Sequence, residues 1–503
     1  LSFRSVGYVE GGTYPDYQRM NISMACNHCD DPVCLKGCPT AAYTKHAEYG
    51  AVIQDPDICF GCGYCTWVCP YNAPQLDPVK GQVEKCNMCV DRLEVGLKPA
   101  CVSACLGNAL NFGVVENTPE NRQQIETQIP GFPDPTITQP NIRFQQTKSL
   151  PRELTRPDSA LIKYRRDDAS GNYKPAIDKS SMTKSWNLAR LSSRENPLVL
   201  FTLASQAAIG LFALLFFGDW GLSNTLYAGG IFLSAALAGI GLLISASHLG
   251  KPFRAYRGFN NLRHSPMARE GLAAALFMAF SGLHFLVVAA QSYLPALTPL
   301  AALFGWLAVP AATATLYYMY RCYRIKARPF WDHWQTATAF AGASLYLGGA
   351  FMGLIGILAD LNSLPLISLF MLAGVAIEGL GLTAHARAMT GADHEGAVSH
   401  YVQTTTFGYT YLARNIGYAV SASLLALLAT EMEPAGSDLS GLWVLTAGSL
   451  CLLALISRAL FYVLVVPTTM PGAFFWKNKG FEQHARDIGL ADMPQVGVVP
   501  DAH

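Results

Sequence analysis

Two patterns of hydrophobic and polar positions divide this chain. Between about 196 and 470, apolar residues run in long stretches at about 197–218, 225–247, 270–290, 297–319, 337–359, 364–384, 408–429 and 441–466. Each is near or above the ~20 residues that an α-helix needs to cross a bilayer, so the pattern predicts eight membrane-spanning helices. Residues 1–148 show no such runs; they are polar, rich in Cys, Pro and Asn, and broken by turns. Between the two, residues 149–195 carry prolines, mixed charge and no sustained apolar period, and read as an extended connector. Residues 471–503 read as a C-terminal tail.

Eight spans return both ends of the apolar region to one side, and the loops then sort by charge. Lys251, Arg254, Arg257, Arg263 and Arg269 lie on the side of the N-terminal domain, with Arg321, Arg324, Lys326, Arg328, Arg387, Lys477 and Lys479. The opposite loops, DWGLSN, QSYLPAL, DLNSL and TEMEPAGSDLS, hold no Lys or Arg. The positive-inside rule therefore predicts a cytoplasmic N-terminal domain on a multi-pass protein of the bacterial cytoplasmic membrane. The net charge of +1 averages over the membrane region and adds nothing. Basic runs interleaved with aromatics are missing, so no nucleic-acid partner is expected.

Chemistry enters with the cysteines. Twelve of the 14 lie between Cys26 and Cys105, in three groups of four. The first is Cys26, Cys29, Cys34 and Cys38, followed by Pro39; the second is Cys59, Cys62, Cys65 and Cys69, followed by Pro70. The second has the spacing of a ferredoxin run, in which three thiolates hold one cubane cluster and the fourth crosses to a neighbouring cluster. Exchange of the fourth ligand predicts one [4Fe–4S] cluster on Cys26, Cys29, Cys34 and Cys69, and another on Cys59, Cys62, Cys65 and Cys38. Paired Cys-x2-Cys groups also occur in zinc sites, but the Cys-Pro endings and triplet spacing favour clusters. Cys322 and Cys451 stand apart and read as small buried hydrophobes.

The third group, Cys86, Cys89, Cys101 and Cys105, has no complementary group in the chain. By the same exchange, Cys86, Cys89 and Cys101 lack a fourth ligand and Cys105 lacks three. The chain opens without Met on LSFRSVGYVEGG, which reads as the middle of a domain. The expectation is a preceding segment with a fourth cysteine group, bringing the total to four clusters. The alternative is a self-contained third group binding one cluster or one zinc.

The segments MACNHCDDPVCLKGCPT, CFGCGYCTWVCPYNAPQ and KCNMCVDR…KPACVSAC resemble the iron–sulfur subunit of the dimethyl-sulfoxide reductase family over about residues 1–145. SASHLGKPFRAYRGFNNLRHSPMARE and LISRALFYVLVVPTTMPG resemble the family's membrane anchor, an eight-helix quinol-oxidising protein of the polysulfide-reductase anchor type. One departure is Leu106 after Cys105, where the family usually has proline. The resemblance implies an α+β ferredoxin-like domain fused to an all-α membrane bundle of eight helices, two subunits that are usually separate chains. It also implies menaquinol as electron donor, contact with the quinone pool and membrane lipid, and a molybdopterin-containing catalytic partner. A cytoplasm-facing sulfite dehydrogenase, running electrons into quinone, is the alternative; a periplasmic iron–sulfur domain is the alternative placement.

Oxidising a quinol releases two protons with two electrons, so the site needs proton acceptors near the membrane surface. Ionisable residues at membrane depth are costly and mark function. His248, ending the second span, and Glu270, opening the third, share the side of the N-terminal domain. The resemblance places a His and a Glu of the menaquinol site at these positions. Arg254 and Arg257 are candidates for stabilising a quinone oxygen or for holding the membrane surface. Arg414 and Arg458 read as snorkelling side chains, and Glu378 as a proton relay or a partner of an arginine. His284 and His385 form no evident axial pair, and the resembled family carries no haem in its anchor, so no haem is expected. The chain shows no nucleotide-binding motif or nucleophile constellation for a terminal substrate.

Overall fold

The computed structural model describes residues 3–77, 79–113, 129–144, 149–155, 162–177, 183–191, 195–291, 293–430 and 437–464. Two short units repeat through the cysteine-rich part. In the first, α1 (Val33–Gly37) is followed by a hairpin of β3 (Tyr43–Lys45) and β4 (Val52–Gln54). In the second, α2 (Tyr64–Val68) is followed by a hairpin of β5 (Gln75–Asp77) and β6 (Gln82–Glu84). Each helix ends at a cysteine, Cys38 or Cys69, in extended conformation before a proline, which cannot continue a helix. Two further short helices, α3 (Val90–Glu94) and α4 (Ala100–Ser103), carry the third cysteine group.

A five-stranded antiparallel sheet flanks this repeat. Its order is β2 (Gln18–Ala25), β1 (Arg4–Gly11), β7 (Glu153–Thr155), β8 (Ile162–Arg166) and β9 (Tyr173–Ile177). Three of its strands thus come from the stretch that reads as a connector. The alternation in IKYRR explains this: Ile162 and Tyr164 are buried against Val9 and Leu154, while Lys163 and Arg165 face solvent. The short β7 and the absence of a long apolar period kept that signal weak in the sequence.

Among the described residues, eight helices are long and apolar enough to cross a membrane. They are α5 (Asn196–Phe217), α6 (Asn224–Ala246), α7 (Pro266–Gln291), α8 (Thr298–Tyr323), α9 (Gln335–Leu358), α10 (Leu364–Thr390), α12 (Gly408–Thr430) and α13 (Ser437–Val463). A ninth, α11 (Glu395–Thr404), is short and links α10 to α12. Helix α5 is central and packs on α6 and α9. A Cβ on Gly210 of α5 would sit 1.8 Å from Ser344 O of α9, the close backbone approach that small residues permit between membrane helices. The C-terminal tail at 471–503, with Lys477 and Lys479, lies outside the described residues.

Candidate electron-transfer and quinol site

The free thiols Cys29, Cys38, Cys59, Cys65 and Cys69 are buried, and Cys26, Cys34 and Cys62 half-buried. Burial pushes the Cys34 thiol well above its ordinary value, and Cys69, Cys26 and Cys29 push it further. Burial likewise raises Cys65, with Cys62, Cys38 and Cys59 as its cysteine neighbours. The electrostatic neighbours thus fall into two quartets, each drawing one cysteine from the other repeat. A buried thiolate needs a nearby positive charge, and coordinated iron supplies it by deprotonating the ligand outright.

Among the described residues, no three His, Cys, Asp or Glu side chains converge as a single metal ion requires. Cys38, Cys59, Cys62 and Cys65 instead border one cavity, closed by Tyr43 and Phe60, an arrangement that fits a polynuclear cluster held at its corners. Backbone N–H groups point at the sulfurs, from Gly61 to Cys59 Sγ at 3.3 Å and from Ala42 to Cys38 Sγ at 3.4 Å. Such donors tune cluster potential. The buried Lys85, which carried no signal in the sequence, donates to Cys26 Sγ at 3.5 Å and Cys86 O at 2.9 Å, bridging the first and third groups. Cys86, Cys89, Cys101 and Cys105 are all half-buried, and Leu106 is exposed.

The second quartet faces the membrane bundle. The last carbonyls of a helix have no partner within it, and here the bundle supplies donors. Ser265 Oγ donates to Gly37 O and Asn261 Nδ2 to Cys38 O, both at 2.8 Å. Arg328, 8% exposed, donates to Thr66 O at 2.9 Å and Trp67 O at 3.1 Å at the end of α2. Burial lowers its guanidinium to about 10, opposed by Cys69, which leaves it charged at neutral pH. At the same junction Lys251 N–H donates to Phe60 O at 3.0 Å, and a Cβ on Gly250 would lie 2.2 Å from Gly81 O.

Tyr64 extends from between Gly63 and Cys65 into the core of the bundle, where it is 2% exposed. Its hydroxyl donates to Cys322 O at 2.9 Å. Burial, then the nearby Cys322 and Glu270, push its phenol well above the ordinary value, so it remains a neutral donor. The Cys322 thiol, far from a mere apolar filler, donates to Glu270 Oε2 at 2.9 Å. Glu270 is 6% exposed, and its Oε1 has no hydrogen-bond partner among the described residues. His248 lies two residues beyond the end of α6, where its Nδ1–H donates to Ser245 O, which assigns Nε2 as the basic nitrogen of the neutral ring.

Other sequence candidates have different neighbours. Arg254 Nη1 donates to Asp57 O at 2.7 Å, and Arg257 also donates to Asp57 O, so both hold the loop that leads into Cys59. Both ring nitrogens of His284 have protein partners, Ala301 O at 2.8 Å and Tyr227 Oη at 3.0 Å. His385 Nε2 donates to Phe330 O at 2.9 Å. Among the described residues Glu378 pairs with no arginine; it accepts from Tyr346 at 2.9 Å and from Tyr418 and Ser457 at 3.1 Å. Arg414 and Arg458 are buried rather than snorkelling.

Comparison with known proteins adds family relationships to this geometry. Residues 18–115 match the 4Fe-4S dicluster domain, and residues 191–464 match the DMSO reductase anchor subunit (DmsC). A component of the anaerobic dimethyl sulfoxide reductase of Escherichia coli (strain K12) is 39% identical over 153 residues, covering 28% of this chain and 72% of that protein. Its counterpart in the anaerobic dimethyl sulfoxide reductase of Haemophilus influenzae is 46% identical over 129 residues, 25% of this chain and 61% of that one. A subunit of the sulfite dehydrogenase of Allochromatium vinosum is 35% identical over 183 residues, 34% of this chain and 76% of that protein.

Proposed function

This protein belongs to the DMSO reductase anchor subunit family, with a 4Fe-4S dicluster domain fused ahead of the anchor, and we propose that it oxidises menaquinol beside Glu270 and delivers the electrons to a molybdopterin-containing catalytic partner that reduces dimethyl sulfoxide. The observation that carries this reading is the continuous contact from Cys65 through Tyr64 and Cys322 to the Glu270 carboxylate. A buried carboxylate oxygen with no donor among the described residues is suited to take a hydroxyl proton from a quinol.

Each residue has a distinct task. Cys322 fixes Glu270 Oε2 and leaves Oε1 for the substrate. His248 presents Nε2 as the second proton acceptor, with its tautomer set by Ser245 O. Tyr64 keeps the second quartet against the carboxylate and stays neutral. Cys59, Cys62, Cys65 and Cys38 would hold the cluster nearest the membrane, and Cys26, Cys29, Cys34 and Cys69 the next. When bound, the clusters supply one-electron carriage between the membrane site and the partner.

A second reading, a sulfite dehydrogenase delivering electrons to quinone, is favoured by the positive loops on the ferredoxin side and by the identity to a sulfite dehydrogenase component. The loop charges have another cause, however. Lys251 bonds Gln82, Arg254 and Arg257 bond Asp57, and Arg328 bonds α2. Docking accounts for these four cations, so they weigh less as a sign of cytoplasmic placement. Membranes containing the complex, given a menaquinol analogue with dimethyl sulfoxide or a quinone analogue with sulfite, separate the readings. Sulfoxide-dependent quinol oxidation supports the first; sulfite-dependent quinone reduction replaces it with the second.

A further inference from the structure

A second polar cavity lies in the other half of the bundle, between α9, α10, α12 and α13. Its walls include Glu378, Arg414 and Arg458, with His385, Gln335 and Gln403. Arg414 is 3% exposed and Arg458 5% exposed. Neither guanidinium lies within 4.0 Å of a carboxylate among the described residues. Arg414 bonds Asn415 Oδ1 at 2.8 Å, and Arg458 Nη2 bonds Gln206 Oε1 at 3.0 Å while its guanidinium stacks over Phe340 at 4.2 Å. Glu378 is occupied by three hydroxyl donors. Among the described residues, two guanidiniums stand against one carboxylate in this cavity, which leaves one positive charge unbalanced in a low-dielectric interior. An unpaired buried charge is strongly unfavourable, and arginine does not escape it by losing its proton.

A further observation points to a ligand. Arg458 Nη1 is buried and has no hydrogen-bond partner among the described residues. We infer that this cavity is a binding site for a small monovalent anion, a halide or nitrate, held by the Arg458 guanidinium with Arg414 supplying further positive charge. Its volume of about 30 Å³ holds two or three water-sized spheres of ~10–15 Å³. That is room for one small anion. The anion balances the charge of the helices that carry neither Glu270 nor His248, so the site is independent of the quinol reading.

The test uses the purified complex in detergent, with its thermal stability followed in chloride, bromide or nitrate against gluconate at constant ionic strength. A saturable rise in melting temperature with the small anions is expected, since a ligand of the folded state stabilises it by mass action. The rise should disappear in Arg458→Gln and persist in a control altered on the surface, Asp219→Asn. Bromide-soaked crystals of the wild-type complex should show an anomalous peak within hydrogen-bond reach of Arg458 Nη1, a readout that stands even if Arg458→Gln fails to fold. An unchanged melting temperature with no peak overturns the site. A rise that survives in Arg458→Gln, or a peak only at the protein surface, overturns it equally.

Discussion

The Cys322 thiol donates to Glu270 Oε2 at 2.9 Å while the carbonyl of the same cysteine accepts from Tyr64. One residue of α8 therefore orients both the membrane carboxylate and the tyrosine beside Cys65. Cys322→Ser keeps a donor and should retain most quinol oxidation. Cys322→Ala removes a bond to a charged group, worth about 1.5–3 kcal/mol, and about a tenfold loss in turnover corresponds to 1.4 kcal/mol. The distinguishing readout is the pH profile of quinol oxidation, which should shift in the alanine variant and hold in the serine variant. Identical profiles would remove Cys322 from the positioning of Glu270.

Glu270→Gln keeps the shape of the side chain and removes the proton acceptor. General-base contributions run to about 10²–10⁴-fold, so quinol oxidation should fall by that order. Reduction of the clusters by dithionite should be unchanged. Equal losses with both reductants would point to damaged folding and not to a lost base.

The docking of the two parts turns on backbone contact at Gly250, where a Cβ would meet Gly81 O at 2.2 Å. Gly250→Val should push the ferredoxin domain off the bundle, since neither carbonyl nor loop can yield as a flexible side chain does. Overpacking of this kind costs about 1–3 kcal/mol. Quinol should then fail to reduce the clusters even though they assemble, which electron paramagnetic resonance with quinol and with dithionite can compare.

How much of this could be read from the chain depends on the range of the interaction. The apolar stretch at 270–290 appears as α7 (Pro266–Gln291), and the other seven spans coincide similarly, because burial in a bilayer writes a local, unbroken signal. The quartets follow from spacing for the same reason. Tyr64, Cys322 and Arg328 gave no such signal. Tyr64 and Cys322 are 258 residues apart, and a single Tyr or Cys carries no period that reveals its partner. The sequence suggests a quinone oxygen or the membrane surface for Arg254 and Arg257, whereas the partner found for both is Asp57 O, a backbone atom that no side-chain pattern reports. The short α11 was hidden because EGAVSHYVQT is too brief and too mixed to stand out beside the spans.

Orientation in the membrane calls for a signal that docking does not share. The loop between α5 and α6 holds no Lys or Arg and touches no part of the ferredoxin domain by hydrogen bond among the described residues. With the ferredoxin domain in the cytoplasm, a cysteine at Ser223→Cys should react with a membrane-impermeant maleimide in spheroplasts, above the background of the parent protein. Labelling only after lysis would place the ferredoxin domain in the periplasm.

The exchange of fourth ligands makes the sharpest demand on the cluster reading. Cys34 and Cys38 are four residues apart on one short helix and its end, yet belong to different quartets. Cys38→Ser should remove or convert the cluster beside the membrane and interrupt quinol reduction of everything beyond it. Cys34→Ser should alter the other cluster and leave the membrane-side signal reducible by quinol. The separation follows from the fold: Asn261 and Ser265 hold the Cys38 end of α1 against the bundle, while the neighbours of Cys34 are Cys69, Cys26 and Cys29. If both substitutions eliminate the same resonance, the two cysteines share a cluster and the crossing of ligands between the repeats is wrong.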